Sequence, residues 1–443
     1  MAIQISDHFT LGRLARFTAP TCAMMLFTSI YGVVDGLFVS NFVGKESFAA
    51  LNLVYPLFMM LGALGYMFGT GGTALVAKTM GEGNPKRARG LFSLIVFATL
   101  IVGIVCGIVV FAAVGPVAGA LGAEGSLLEE CVVYGSILSF SLPFFMLQET
   151  FQSLLTAAGK PKVGLCVMVV AGVANIALDA LFIIVFQWGL AGAALATAVS
   201  EVLGGAIPLL YFARQNSSTL RLGRPLIDAR ALGRVCVNGS SELVSNLSMS
   251  LVSMVYNFQL MAYIGPDGVA IYGVIQYVAW IAVSLLMGFT VGTSPIISFH
   301  YGAKNTFELK NLFRTCLGVM VVGGVLITVL THLFAHPLAA VFVGYDAVLC
   351  EMTVAALGEY SLAFIFVGVS IFGSAFFTAL NNGLVSALIS FLRTLVFECA
   401  AVMLLPAIIG VDGIWLSIVV AEVASMFLTG GFLVGLRKHY NYA

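Results

Sequence analysis

Apolar residues gather into twelve long runs, near 16–43, 48–77, 90–116, 127–157, 162–187, 189–213, 237–264, 268–298, 310–336, 348–379, 384–408 and 412–436. A helix needs about 20 mostly apolar residues to cross the hydrocarbon of a bilayer, and every run is longer than that. Polar breaks with turn chemistry separate them, among them Gly81-Glu82-Gly83-Asn84-Pro85, Gly159-Lys160-Pro161, Gly265-Pro266-Asp267-Gly268 and Asn381-Asn382-Gly383. Lipid offers no partner to an open backbone, so the runs predict helices. The expected fold is an all-α integral membrane protein of twelve transmembrane helices.

The pattern repeats at one fixed offset in numbering, 221 (292 − 71). Gly71, Gly81, Asn84, Leu91 and Phe92 match Gly292, Gly302, Asn305, Leu312 and Phe313. Glu201 and Val202 match Glu422 and Val423 at the same offset. The chain therefore divides into an N-terminal six-helix lobe over 1–215, a cytoplasmic linker over 216–235 and a C-terminal six-helix lobe over 236–443. Six is even, so both lobes enter the membrane in the same sense, related by a pseudo-two-fold along its normal. Two lobes about a cleft suit alternating access, which points to transport and not to a receptor or anchor.

Composition strengthens the membrane reading. Hydrophobic residues make up 60% of the chain and charged ones 9%, with a mean hydropathy of +1.06. Soluble domains carry about 25% charged residues. A net charge of zero gives no basic face for nucleic acid. The eight cysteines are scattered through apolar runs without a CxxC, and read as core residues. No cleavable signal peptide is expected, since the first apolar run is too long for one.

Basic residues orient the bundle. Arg13, Arg16, Lys78, Lys86, Arg87, Arg89, Lys160, Lys162, the linker arginines, Lys304, Lys310, Arg314, Arg437 and Lys438 all fall on one side of twelve spans. Only Lys45 falls on the other. By the positive-inside rule both termini are cytoplasmic.

Ionisable groups within lipid are costly, so each is a functional candidate. Asp35, Asp179 and Thr197 all lie about eight residues from the outer ends of their spans, roughly 12 Å deep at 1.5 Å per residue. Asn175 precedes Asp179 by one turn and shares its face. Together these oxygens can hold a small cation or a shared proton. The alternative is a pair of neutral carboxyls that tie helices together. Against it, Tyr256 and Ala400 replace the two aspartates in the second lobe, whereas an architectural pair would more plausibly survive in both. Glu201 and Glu422 persist in both copies, and a structural role is at least as expected for them. Arg393 is expected to pair structurally with Glu398 or Glu422. Glu242 is placed near the inner end of span seven and Glu359 near the outer end of span ten, too far apart for a second dyad. Gln148, Glu149 and Gln152 in span four, beside Phe144, Phe145 and Phe151, suit an amphipathic organic cation. Asn257 and Gln276 are the further cavity candidates.

Over essentially its whole length the chain resembles the multidrug and toxic compound extrusion (MATE) transporters, bacterial multidrug-efflux type. The resemblance rests on Pro20 with Asp35, the stretch Ala77–Ala88 (AKTMGEGNPKRA), Asn175–Asp179 (NIALD), Tyr301–Asn305 (YGAKN) and Phe391–Arg393 (FLR). It implies antiport: export of organic cations or drugs against inward flow of Na⁺ or H⁺, from a monomer in the lipid of the bacterial cytoplasmic membrane. No cofactor beyond the coupling ion is implied. The family's coupling site falls on Asp35, Asn175, Asp179 and Thr197, with the main-chain carbonyl of Ala193, and these would ligate Na⁺ if Na⁺ couples. Pro20 would be the hinge of span one. Some relatives carry an acidic pair midway along spans seven and ten; around Met249 and Phe366 this chain has none, so no coupling site is expected there. A lipid-linked oligosaccharide flippase is the alternative, but it would call for a basic cavity, and Arg393 alone lies within a span. No paired histidines or HExxH motif supports an enzyme.

Overall fold

The computed structural model describes residues 3–43 and 45–443; the side chains of residues 36, 37, 39–41, 45, 46, 48 and 49, including the expected outer Lys45, lie outside the description. Among the described residues twelve helices make up the bundle: α1 (Leu11–Phe42), α2 (Lys45–Gly81), α3 (Pro85–Ala120), α4 (Gly125–Ala157), α5 (Pro161–Asp179) and α6 (Gly189–Ala213). The second lobe follows with α7 (Ala229–Tyr263), α8 (Pro266–Gly302), α9 (Thr306–Leu333), α10 (Ala347–Ser361 and Phe364–Ala379), α11 (Gly383–Phe391 and Glu398–Leu404) and α12 (Asp412–Gly435). No strand occurs among the described residues. Large apolar side chains such as Phe140, Phe258 and Phe427 point outward and are largely exposed, as a lipid-facing belt requires.

Among the described residues, ten helices are long and apolar enough to span on their own, and the two pieces of α10 make an eleventh. The remaining one, α7, carries Asn238, Ser241, Glu242, Ser245, Asn246 and Ser248, which lower its hydropathy. Those residues do not face lipid: Asn238 and Ser241 bond to Thr378, and Glu242, Ser245 and Asn246 line a cavity.

The expected twelve helices differ locally from the apolar runs. α10 bends by 46° between its pieces. No Pro or Gly marks this break. Thr328 of α9 donates to the freed carbonyl of Ser361 at 3.0 Å, and His332 meets the Ser361 hydroxyl at 3.0 Å, so the backbone stays satisfied. π-helical turns continue α5 over Ala180–Val185 and join the two parts of α11 over Leu392–Phe397. α7 begins at Ala229, so the stretch 229–235 is helix and not linker. Residues 214–228 run over the first lobe, where Leu226 N–H reaches the Gly90 carbonyl and Gly223 N–H the Ser93 hydroxyl.

The repeat is physical. Asn84 and Asn305, mates under the sequence offset, each cap the next helix by accepting the N–H three positions on, both at 3.1 Å. Between lobes, α1 packs on α8 and α2 on both α7 and α8. A β-carbon on Gly81 would stand 2.0 Å from the Phe299 carbonyl oxygen, and one on Gly302 would stand 2.1 Å from that of Lys78. The two contacts exchange under the offset, because Gly302 is the mate of Gly81 and Phe299 that of Lys78. Likewise Gly71 meets Gly239 while Gly292 meets Thr18, and these contacts exchange in the same way. Such an interface is isologous.

These contacts sit on the half of the bundle that carries both termini. Ile5, Phe9, Leu14 and Phe17 pack into the core of the second lobe, and Ala231 and Val235 into that of the first, so the inner ends of α1 and α7 cross over. Phe9 N–H and His8 Nδ1 both reach the Glu308 carboxylate, at 2.9 and 2.5 Å, and the Asn311 amide donates to the Phe9 carbonyl at 2.8 Å. The other terminus lies alongside: Tyr442 is wholly buried, its ring tilted against Phe313 and edge-on to Phe376.

Candidate coupling site and central cavity

The first-lobe site forms where α5 leaves regular α geometry. Asp179 is the last α-helical residue before the π turn, fully buried, with Asn175 one turn earlier and 2% exposed. α1 lies on this face, held close because Gly172 leaves room for Phe27 and Tyr31. Asp35 of α1 stands next to Asp179 and Asn175. Both carboxyl oxygens of Asp179, Oδ1 of Asp35 and Oδ1 of Asn175 are buried without a hydrogen-bond partner. Two carboxyls and an amide oxygen left open in this way are costly as they stand, and they fit a small hard cation or a shared proton.

α6 completes the neighbourhood. It packs on α5 and the π turn that follows, through Gly192 against Phe182. Ala193 is buried and Thr197 half-buried on this helix. Thr197 does not bond to Asp179, whose oxygens are both unpartnered. Among the described residues no group of three or more His, Cys, Asp or Glu forms a metal site, so any ligation here depends on amide, hydroxyl or main-chain oxygens.

Sequence reasoning missed the surroundings of this pair. Tyr31, Tyr55 and Tyr134 each lie close to Asp35 and Glu201, and Tyr31 and Tyr55 also to Glu149. Tyr134 is buried and Tyr31 and Tyr55 are half-buried, so these polar groups share one region with the aspartates and Glu149. Tyrosines in an apolar run give no period or motif that distinguishes them from interfacial ones.

Glu149 opens onto a cavity of about 420 Å³ between the lobes, walled by α1, α2 and α4 on one side and α7, α8, α10, α11 and α12 on the other. Gly62, Gly65 and Gly69 of α2 let α4 approach closely, which fixes Glu149 against the cavity. Gln152 donates to Glu149 Oε2 at 2.6 Å.

Of the expected cavity residues, Glu149, Gln152 and Gln276 line it, with Gln276 accepting from the Tyr360 hydroxyl at 3.4 Å. Gln148 does not: it points at α6, where a β-carbon on Gly204 would meet its Oε1 at 1.8 Å. One residue along a helix turns the side chain by about 100°, and Glu149 and Gln152 hold the cavity face. Asn257 is outside the lining for the same reason. The α7 cavity face runs through Glu242, Ser245, Asn246, Met249 and Val252, whose continuation is Tyr256.

The placement of Glu242 is corrected too. It lies more than three helical turns from Ala229 at the inner end of α7, and Glu422 lies equally far from Gly435 at that of α12. Glu242 also lies near Arg393, the partner of Glu422, so the two glutamates share a depth. Arg393 Nε donates to Glu422 Oε1 at 2.7 Å, which is the expected pair. Pro20 lies inside α1, which runs through it as one helix.

The model of the MatE family matches residues 20–181 and 243–402. The multidrug export protein MepA of Staphylococcus saprophyticus is 24% identical over 416 residues, covering 92% of this chain and 90% of the relative. A crystal structure of MATE in the straight conformation superposes with a TM-score of 0.90 at 22% identity, covering 96% of this chain and 95% of the other. A structure described as the outward-facing conformation of a multidrug resistance MATE family transporter gives 0.90 at 23% identity, covering 96% and 95%. With both halves of the chain under the family model, this protein belongs to the MATE family.

Proposed function

We propose that the protein exports amphipathic organic cations, coupled to inward movement of Na⁺ or H⁺ through the first lobe. The observation that carries this reading is the set of unpartnered buried oxygens on Asp35, Asn175 and Asp179. In it the monomer sits in the bacterial cytoplasmic membrane with both termini inside. The lobes are closed at the end carrying the termini, so the cavity faces outward.

The substrate class follows from the cavity. Four carboxyls line it, Glu149, Glu242, Glu398 and Glu422, against the single guanidinium of Arg393. That excess favours a cation and opposes the pyrophosphate of a lipid-linked oligosaccharide. The name of the MepA relatives, multidrug export protein, supports export of drug-like molecules.

Coupling then needs one lobe to bind its ion better in one state than in the other. Tyr31, Tyr55 and Glu201 lie near both Asp35 and Glu149, so charge gained at the aspartates changes the field that a bound cation feels. Pro20 leaves the carbonyl of Arg16 without its helical donor, which gives α1 a place to bend as the site loads.

The test is efflux of ethidium, a fluorescent organic cation, from cells expressing the protein, with Na⁺ present and absent at fixed pH and again across a pH series. Export that depends on either ion supports the reading. Export unchanged by Na⁺ and by pH, or no export at all, overturns it.

A further inference from the structure

The second lobe carries an acidic group that the coupling site does not use. Arg393 lies in the π turn of α11, its Nε bonded to Glu422 Oε1 at 2.7 Å. Glu422 is 3% exposed, and its Oε2 has no hydrogen-bond partner. Glu398, five residues on, and Glu242 on α7, which packs against α11, both lie near enough to Arg393 to feel its charge. All four side chains line the cavity, so three carboxyls share one guanidinium. Most of the cavity's aromatic rings stand on this side as well, Tyr272, Trp280 and Tyr360 among them.

We propose that this wall is the subsite for the cationic head of the substrate, and that Arg393 is its tethered competitor. The guanidinium occupies Glu422 when the cavity is empty. An incoming organic cation takes the share of Glu242 and Glu398 and stacks on the aromatic rings, which attract positive charge through their π faces. A second cation can enter because one guanidinium cannot neutralise three carboxyls. The π turn of α11 carries Arg393, a departure from α geometry of the kind frequent at functional sites. The proposal rests on the cavity taking organic cations, and it assigns the head group to the second lobe.

The experiment is ethidium binding to the purified full-length protein in detergent, followed by fluorescence, with melting temperature read in parallel. Glu242→Gln and Glu398→Gln are each expected to weaken binding by about tenfold, the factor for roughly 1.4 kcal/mol. Arg393→Gln is expected to tighten it severalfold, because the competitor is gone. Should Arg393→Gln fail to fold, Arg393→Lys replaces it. That variant keeps the charge, loses the planar fork that fits Glu422, and is expected to tighten binding by a smaller factor. Wild-type affinity in Glu242→Gln and Glu398→Gln, while Glu149→Gln weakens binding, would overturn the subsite and leave the export reading standing. Absence of ethidium binding to the wild type would overturn both.

Discussion

Gly81 and Phe299 are in main-chain contact across the lobe boundary: a β-carbon on the glycine would lie 2.0 Å from the phenylalanine carbonyl oxygen. No rotamer change relieves a clash with backbone, so a larger residue must push α2 from α8. Gly302 against Lys78 repeats the constraint through the internal symmetry.

Gly81→Val is therefore expected to open the end that carries the termini, at a cost of about 1–3 kcal/mol, typical of overpacking. Each lobe keeps its own core. The check is cysteine accessibility in the inner cleft, reported by Ser294→Cys: labelling from the cytoplasmic side should rise severalfold in the Gly81→Val background. Labelling at the parental rate would show that this contact does not hold the closed end.

Glu308 ties the N-terminal segment to the opposite lobe, accepting from Phe9 N–H at 2.9 Å and from the Asn311 amide at 3.0 Å, with His8 at 2.5 Å. Glu308→Ala removes a buried acceptor and strands the buried Phe9 N–H, worth about 1–3 kcal/mol when left unsatisfied. Hydrogen exchange should rise over residues 3–10 while α9 beyond its first turn stays protected. Unchanged protection of residues 3–10 would mean that Phe9 packing alone anchors the segment.

Glu149 faces the cavity with Gln152 bonded to it at 2.6 Å. Glu149→Gln keeps shape and removes charge. It is expected to weaken ethidium binding by about tenfold or less, since the second lobe supplies three further carboxyls. Titration of the purified variant against wild type checks this, and a complete loss of binding would shift the head-group site to the first lobe.

Much of this was legible in the sequence. Apolar runs gave the helix number, and the internal offset anticipated an interface that the glycine contacts reproduce pair by pair. Depth counting brought Asp35 to Asp179 because helical rise is uniform. It misplaced Glu242, because polarity hid the first turns of α7 and an apolar boundary is not a helix end. The break in α10 left no mark, since its carbonyl is satisfied by Thr328 from another helix. Adjacent positions such as Gln148 and Glu149 were inseparable until a neighbour, Gly204, fixed which one turns to the cavity.

The first-lobe aspartates are predicted to couple ion entry to export. The direct measurement is ethidium transport in vesicles carrying wild type, Asp35→Asn or Asp179→Asn, under an imposed Na⁺ gradient and, separately, an imposed H⁺ gradient. Both variants are predicted to bind ethidium and to lose gradient-driven transport by at least about tenfold, equivalent to roughly 1.4 kcal/mol of coupling. Undiminished coupled transport in both would contradict the account.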